Sequence, residues 1–125
     1  MLVLLDTSQN LEECEAELGC QVHQLLTPLT RFRLQKPDAP FAIDNGAFAG
    51  FRPEGFKALL KREWGRRRQC LFVSMPDVVA DARRTLELFD HFAPLHSSWP
   101  VALVAQDGQE NLPIPWRHLK AIFIG

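Results

Sequence analysis

The sequence is short of the features that mark specialised protein classes, and each shortage excludes something. Cysteine is sparse, with three in 125 residues, too few for a disulfide scaffold. Cys14, Cys20 and Cys70 have no paired zinc spacing. The histidines His23, His91, His96 and His118 are scattered, with no His-x-x-x-His pair. No apolar run approaches the ~20 residues that a membrane span needs. The opening segment Met1–Asp6 is too short for a signal peptide and lacks a basic start. Neither sign of charge dominates: fourteen Lys+Arg against fifteen Asp+Glu leave −1, which excludes a strongly basic polyphosphate clamp as the whole function. Internal repeats, low-complexity tracts and linkers are also missing. What remains is an ordinary globular composition, 46% hydrophobic and 23% charged, in a length that suits one domain over residues 1–125. A soluble, cytoplasmic, reducing setting is expected, with no membrane partner.

Short apolar runs organise the chain. They are Leu2–Leu5, Phe41–Ile43, Leu71–Val73, Val101–Ala105 and Ala121–Ile124, with a weaker one over Val22–Leu26. Runs apolar on both faces read as buried parallel strands. Helical spacing falls between them. Leu11–Leu18 precedes Gly19, a C-cap residue. Pro53–Arg62 opens with proline and places Phe56, Leu59 and Leu60 on one face. Val79–Phe92 is the strongest helix, closed by Pro94. Ile114–Leu119 is expected to hold one short helical turn. Alternating strands and helices predict an α/β fold. A strand-like run reaches Gly125, so the chain reads as roughly the first half of a (β/α)8 TIM-type barrel, a fold of about 250 residues. A small open α/β domain is the competing architecture.

In parallel α/β folds the carboxyl ends of the strands share one face, and that face carries the site. The strand ends here supply Asp44-Asn45-Gly46-Ala47-Phe48, Ser74-Met75-Pro76-Asp77, Gln106-Asp107-Gly108 and Gly125. Asp44, Asp77, Gln106 and Gly125 should therefore converge. A carboxylate can accept the two parallel donors of a guanine edge, an amide and a backbone N–H can donate to its oxygen, and Phe48 can stack on the ring. The same set also suits sugar or metal sites.

At these residues the sequence resembles the queuine and 7-deazaguanine tRNA transglycosylases. Asp44-Asn45-Gly46-Ala47-Phe48 resembles their Asp-Ser-Gly-Gly-Phe/Tyr motif, Val104-Ala105-Gln106-Asp107-Gly108 their Val-Gln-Gly-Gly segment, and Phe123-Ile124-Gly125 the start of their Gly-Gly segment. Met75-Pro76-Asp77 sits where the family keeps a base-recognition aspartate. The variants present are closest in style to the phage and bacterial branch that puts deazaguanines into DNA. The resemblance covers about residues 40 to 125 and implies a base exchange. A carboxylate nucleophile attacks C1′ of a guanosine in DNA or tRNA, guanine leaves, and a 7-deazaguanine displaces the enzyme from the covalent intermediate. It implies Asp44 as acid/base, Phe48 packing on the base, Asp77 reading the guanine edge, and Gln106 and Gly125 as donors to the base oxygen. Asn45 and Gly46 fall in the same base-binding motif. The family's nucleophilic aspartate and the zinc site of its tRNA members lie on segments beyond Gly125. No cofactor or metal is assigned to residues 1–125, and the chain is expected to be inactive alone.

Two other functions fit the same residues. One is a non-catalytic truncated barrel that binds a base, a second copy of itself or a barrel-completing partner. The other is an unrelated TIM-barrel hydrolase or lyase using Asp44 and Asp77. Simpler roles also exist for single residues. Asn45-Gly46 is a common turn dipeptide, Asp77 could be the N-cap of the following helix, and Gln106-Asp107-Gly108 could be a plain loop. The basic cluster Lys61, Arg62, Arg66, Arg67 and Arg68 reads as a solvated helix end on the face opposite the site. Trp64, Trp99 and Trp116 read as packing residues.

Overall fold

A computed structural model describes residues 2–31 and 33–124. It contains six strands: β1 (Val3–Leu5), β2 (Val22–Leu26), β3 (Phe41–Ile43), β4 (Cys70–Ser74), β5 (Val101–Ala105) and β6 (Ala121–Ile124). Each strand pairs in parallel with the next, so the order in the sheet is the order in the chain. This order contains no reversal, unlike a doubly wound sheet. Crossovers between parallel strands are right-handed, so each connection returns on the same side. The outcome is an α/β fold whose all-parallel sheet is curled as a half-barrel. The weakest of the apolar runs, Val22–Leu26, is a full member of it.

Three helices, α1 (Leu11–Leu18), α2 (Pro53–Glu63) and α3 (Ala82–Phe92), pack on the outer face. The Asn10 side chain caps α1 by accepting from Glu12 N–H at 2.8 Å. The helix stops at Gly19, whose φ of 65° is a left-handed geometry that favours glycine. Proline opens α2, where its missing N–H costs nothing. Helix α3 starts three residues later than the expected Val79. Ala80 turns to a φ of 61°, and Asp81 is the cap, accepting from Arg84 N–H at 3.0 Å. Asp77 is therefore not the helix cap. The expected helical turn over Ile114–Leu119 is only a tight turn, closed by His118 N–H donating to the Pro115 carbonyl.

Strand register decides which side chains meet the helices. Leu26, Ile43, Val73 and Leu103 face outward and pack with Phe56 of α2 and Phe89 of α3 in the main core. Burying one such side chain is worth about 1.5–3 kcal/mol. Val3, Leu5 and Val22 pack against Leu11 and Cys14 of α1. The alternate residues Leu25, Ala42, Val104 and Phe123 face the concave side, where Phe72 lies 6.1 Å from Phe123. Strand β4 carries one extra residue: Phe41 pairs with Cys70 but Ile43 pairs with Val73. Such a bulge bends the strand and increases its twist. Of the tryptophans, Trp99 is buried, Trp64 packs against it while remaining partly open to solvent, and Trp116 is exposed. No helix among the described residues is long and apolar enough to cross a membrane.

Candidate base-binding site

The carboxyl ends of β3, β4 and β5 meet around a cavity of about 350 Å³. Asp44, Asn45, Asp77 and Gln106 supply its polar lining, while Leu25, Val104 and Phe123 line its apolar wall from the concave face of the sheet. Residues as far apart in sequence as Leu25 and Phe123 thus share one pocket because parallel strands deliver their ends to one side. Gly125 lies outside the described residues.

The polar groups are locked to one another before any ligand arrives. Asn45 is 1% exposed and Ser74 is fully buried. The Asn45 amide nitrogen donates to Asp77 Oδ1 at 2.8 Å and to the Met75 carbonyl at 2.9 Å, and lies 3.2 Å from Ser74 Oγ. Its amide oxygen accepts from Ala47 N–H at 2.6 Å. Ser74 Oγ accepts from Asn45 N–H at 2.9 Å and donates to Asp44 Oδ1 at 3.0 Å. The other Asp44 oxygen accepts from Gly46 N–H at 2.9 Å. Gly46 holds a φ of 74°, and a Cβ there would stand 3.1 Å from Pro28 Cδ.

The Gln106 amide nitrogen donates to Asp77 Oδ2 at 2.8 Å, and its oxygen accepts from Ala80 N–H at 2.9 Å. Thr85 pins the same β4–α3 loop, accepting from Val78 N–H at 2.9 Å and donating to the Val78 carbonyl at 3.2 Å. Both Asp77 oxygens are thus oriented by neutral amides. Each carboxylate oxygen has more than one lone-pair site, so Asp77 retains acceptor capacity toward the cavity. Burial pushes the Asp77 carboxyl above its ordinary range, Asn45 opposes that shift, and the Asp44 charge adds to it.

Asp44, Asp77, Gln106 and Phe48 all line the cavity. Phe48 stands at the rim, 94% exposed, in a 3₁₀ turn bounded by Gly46 and Gly50, both at positive φ. Asn45 also lines the cavity, and its amide nitrogen, directed to protein acceptors, positions Asp77 directly and Asp44 through Ser74. Gly46 shapes the turn below the pocket. Ser74, Thr85 and Ala80 were given no role by sequence reasoning. A serine closing a buried strand is their one legible signal, since a hydroxyl there must find partners. Asp6 is apart from this group, accepting from Thr30 Oγ1 at 3.3 Å. Among the described residues, no three His, Cys, Asp or Glu side chains gather as a metal site would need. No family model matches this chain, nor does any curated protein or solved structure.

Proposed function

We propose that the chain is the base-binding part of a transglycosylase that replaces guanine with a 7-deazaguanine in DNA or tRNA. In this reading the sheet belongs to a (β/α)8 barrel, whose closure takes two further strands. The observation that carries it is the pre-ordered Asp77 carboxylate. It faces a cavity with room for a purine beside Asp44 and Gln106, with each oxygen held by an amide.

The chemistry follows from that placement. Asp77 accepts the ring N–H and exocyclic amine of the base. The second hydrogen of the Gln106 amide is free to donate to the base oxygen. Phe48 covers the ring from the rim. Asp44, tethered by Ser74 Oγ and Gly46 N–H, is placed for acid/base work as one base leaves and another enters. The nucleophilic carboxylate of this reaction class is not among these residues, so base recognition rather than turnover is assigned to them. Three free thiols, Cys14, Cys20 and Cys70, suit a reducing cytoplasm.

Calorimetric titration of the full chain with 7-deazaguanine tests the reading. Saturable binding is expected with a dissociation constant on the order of 0.1 mM, as suits a ligand of about a dozen heavy atoms. Adenine, which lacks the donor pair, should bind at least about tenfold more weakly, and Asp77→Asn should lose the preference. Equal affinity for both bases, or an Asp77→Asn protein that still prefers deazaguanine, would overturn it. Binding without exchange activity in any assembly would favour a non-catalytic base-binding module.

A further inference from the structure

A second cavity lies at the opposite end of the sheet and owes nothing to the site above. It measures about 520 Å³ and is lined by Lys57, Leu60 and Lys61 of α2, Trp64 of the 3₁₀ segment that follows, and His96 and Trp99 ahead of β5. Trp64–Gln69 leads into β4 and Trp99 leads into β5, so the cavity borders the amino ends of those strands. Asp44 and Asp77 sit past the carboxyl ends of β3 and β4.

The lining has two chemistries. Its body is apolar and flat. Trp64 and Trp99 meet edge to face, with ring centroids 6.1 Å apart. The His96 ring packs edge-on against Phe56 at 5.6 Å, and Leu60 is buried beside them. Trp64 is 46% exposed, so part of its indole surface is open to a ligand.

The charge around the cavity is positive. Lys57 and Lys61 line it, and Arg67 stacks its guanidinium 4.2 Å from the centre of the Trp64 ring. The nearby acids are already matched: Glu63 is buried and paired with Arg62 at 2.7 Å and Arg66 at 3.7 Å. Glu54 pairs with Lys57 at 3.4 Å across solvent, where such a pair is weak. Among the described residues, no acid lies within ion-pair distance of Lys61. Volume, apolar lining and a few placed charges are the attributes of a small-molecule site.

We infer that this cleft binds a small planar aromatic anion, its ring against Trp64 and Trp99 and its acid group on Lys57 and Lys61. The occupant is set by charge complementarity: an aromatic body needs the indole walls, and a negative group needs the lysine rim. This site is independent of base binding at Asp77, and neither stands or falls with the other.

Naphthoate is the probe, with naphthalene methanol as its uncharged counterpart. Each is titrated into the full chain while the indole N–H signals of the three tryptophans are followed by NMR. Naphthoate should shift Trp64 and Trp99 but not Trp116, saturating with a dissociation constant of about 1 mM or below. The alcohol should bind about tenfold more weakly, and the double variant Lys57→Gln/Lys61→Gln should lose a similar factor for the acid alone. Both lysines are exposed, so the variant keeps its fold, which its unchanged spectrum outside the cleft checks. Equal binding of acid and alcohol, naphthoate affinity unaltered in the double variant, shifts at Trp116, or no saturation would each overturn the inference.

Discussion

Replacing Asn45 with alanine attacks the joint on which the site's geometry depends. The side chain is 1% exposed. Its amide serves Asp77, the Met75 carbonyl, Ser74 and the Ala47 N–H. A net hydrogen bond is worth about 0.5–1.5 kcal/mol, and a buried group left unpaired costs about 1–3 kcal/mol. Water can enter the cavity and rescue Asp77, but the Met75 carbonyl and Ser74 lie deeper. The expected loss is therefore about 2–4 kcal/mol. With a urea dependence of about 2 kcal/mol/M, that moves the unfolding midpoint down by about 1–2 M at constant slope. Equilibrium urea unfolding followed by circular dichroism measures it, with Asp107→Ala, an exposed change, as the reference that should stay within about 0.5 kcal/mol. An Asn45→Ala midpoint within about 0.3 M of the parent would refute the idea that Asn45 ties β3 to β4.

Four further outcomes are expected. Gly46→Ala should destabilise by about 1–2 kcal/mol, since φ is 74° and the new Cβ would meet Pro28; an unchanged melting temperature would contradict this. Ala80→Gly should stabilise by about 0.5–1 kcal/mol by relieving a positive φ at an exposed position; destabilisation would show that the methyl group packs. The Asp77 carboxyl, followed by carbon NMR, should titrate above the ordinary aspartate value of 3.8. Because its folded value is raised, the stability it contributes is full below the unfolded value and is lost as pH rises through the folded one. A titration at or below 3.8 would contradict the burial of that group. Glu15 has the opposite sign: the Lys36 ammonium at 2.6 Å and the Val22 N–H hold it low. Its contribution is present above the unfolded value and lost as pH falls through the folded one, and Lys36→Met should raise its titration.

Much of this arrangement was legible in the sequence because parallel strands carry an unambiguous signal. Phe41–Ile43 and Val101–Ala105 are apolar on both faces, and such strands must be covered on both sides. That property alone placed Asp44, Asp77 and Gln106 at one end of one sheet. Strand β2 was faint because His23 and Gln24 interrupt it. The Gln24 amide oxygen accepts from Gln35 N–H at 2.7 Å, a partner 11 residues away that no local pattern reveals.

The start of α3 was misplaced for a related reason. Val78, Val79 and Ala80 continue a helical period, but the loop is held open by Gln106 and Thr85, and tertiary partners override propensity. Asn45 belongs to the expected base-binding motif, and its amide nitrogen turns to Ser74, Met75 and Asp77. Whether an amide faces a ligand or a neighbouring strand depends on the register between β3 and β4, and the bulge in β4 sets that register. Ser74 shows the same limit, since its role exists only once β3 and β4 are side by side.

The most direct test of base recognition is a backbone and side-chain NMR titration of the full chain with 7-deazaguanine. The Gln106 amide protons and the backbone N–H signals of Gly46, Ala47 and Ala80 should shift together and saturate at one concentration. All of them hydrogen-bond to the Asp44, Asn45, Asp77 and Gln106 side chains. Silence at those four residues at saturating ligand, or shifts confined to the Trp64 and Trp99 cleft, would contradict a base site at the strand ends.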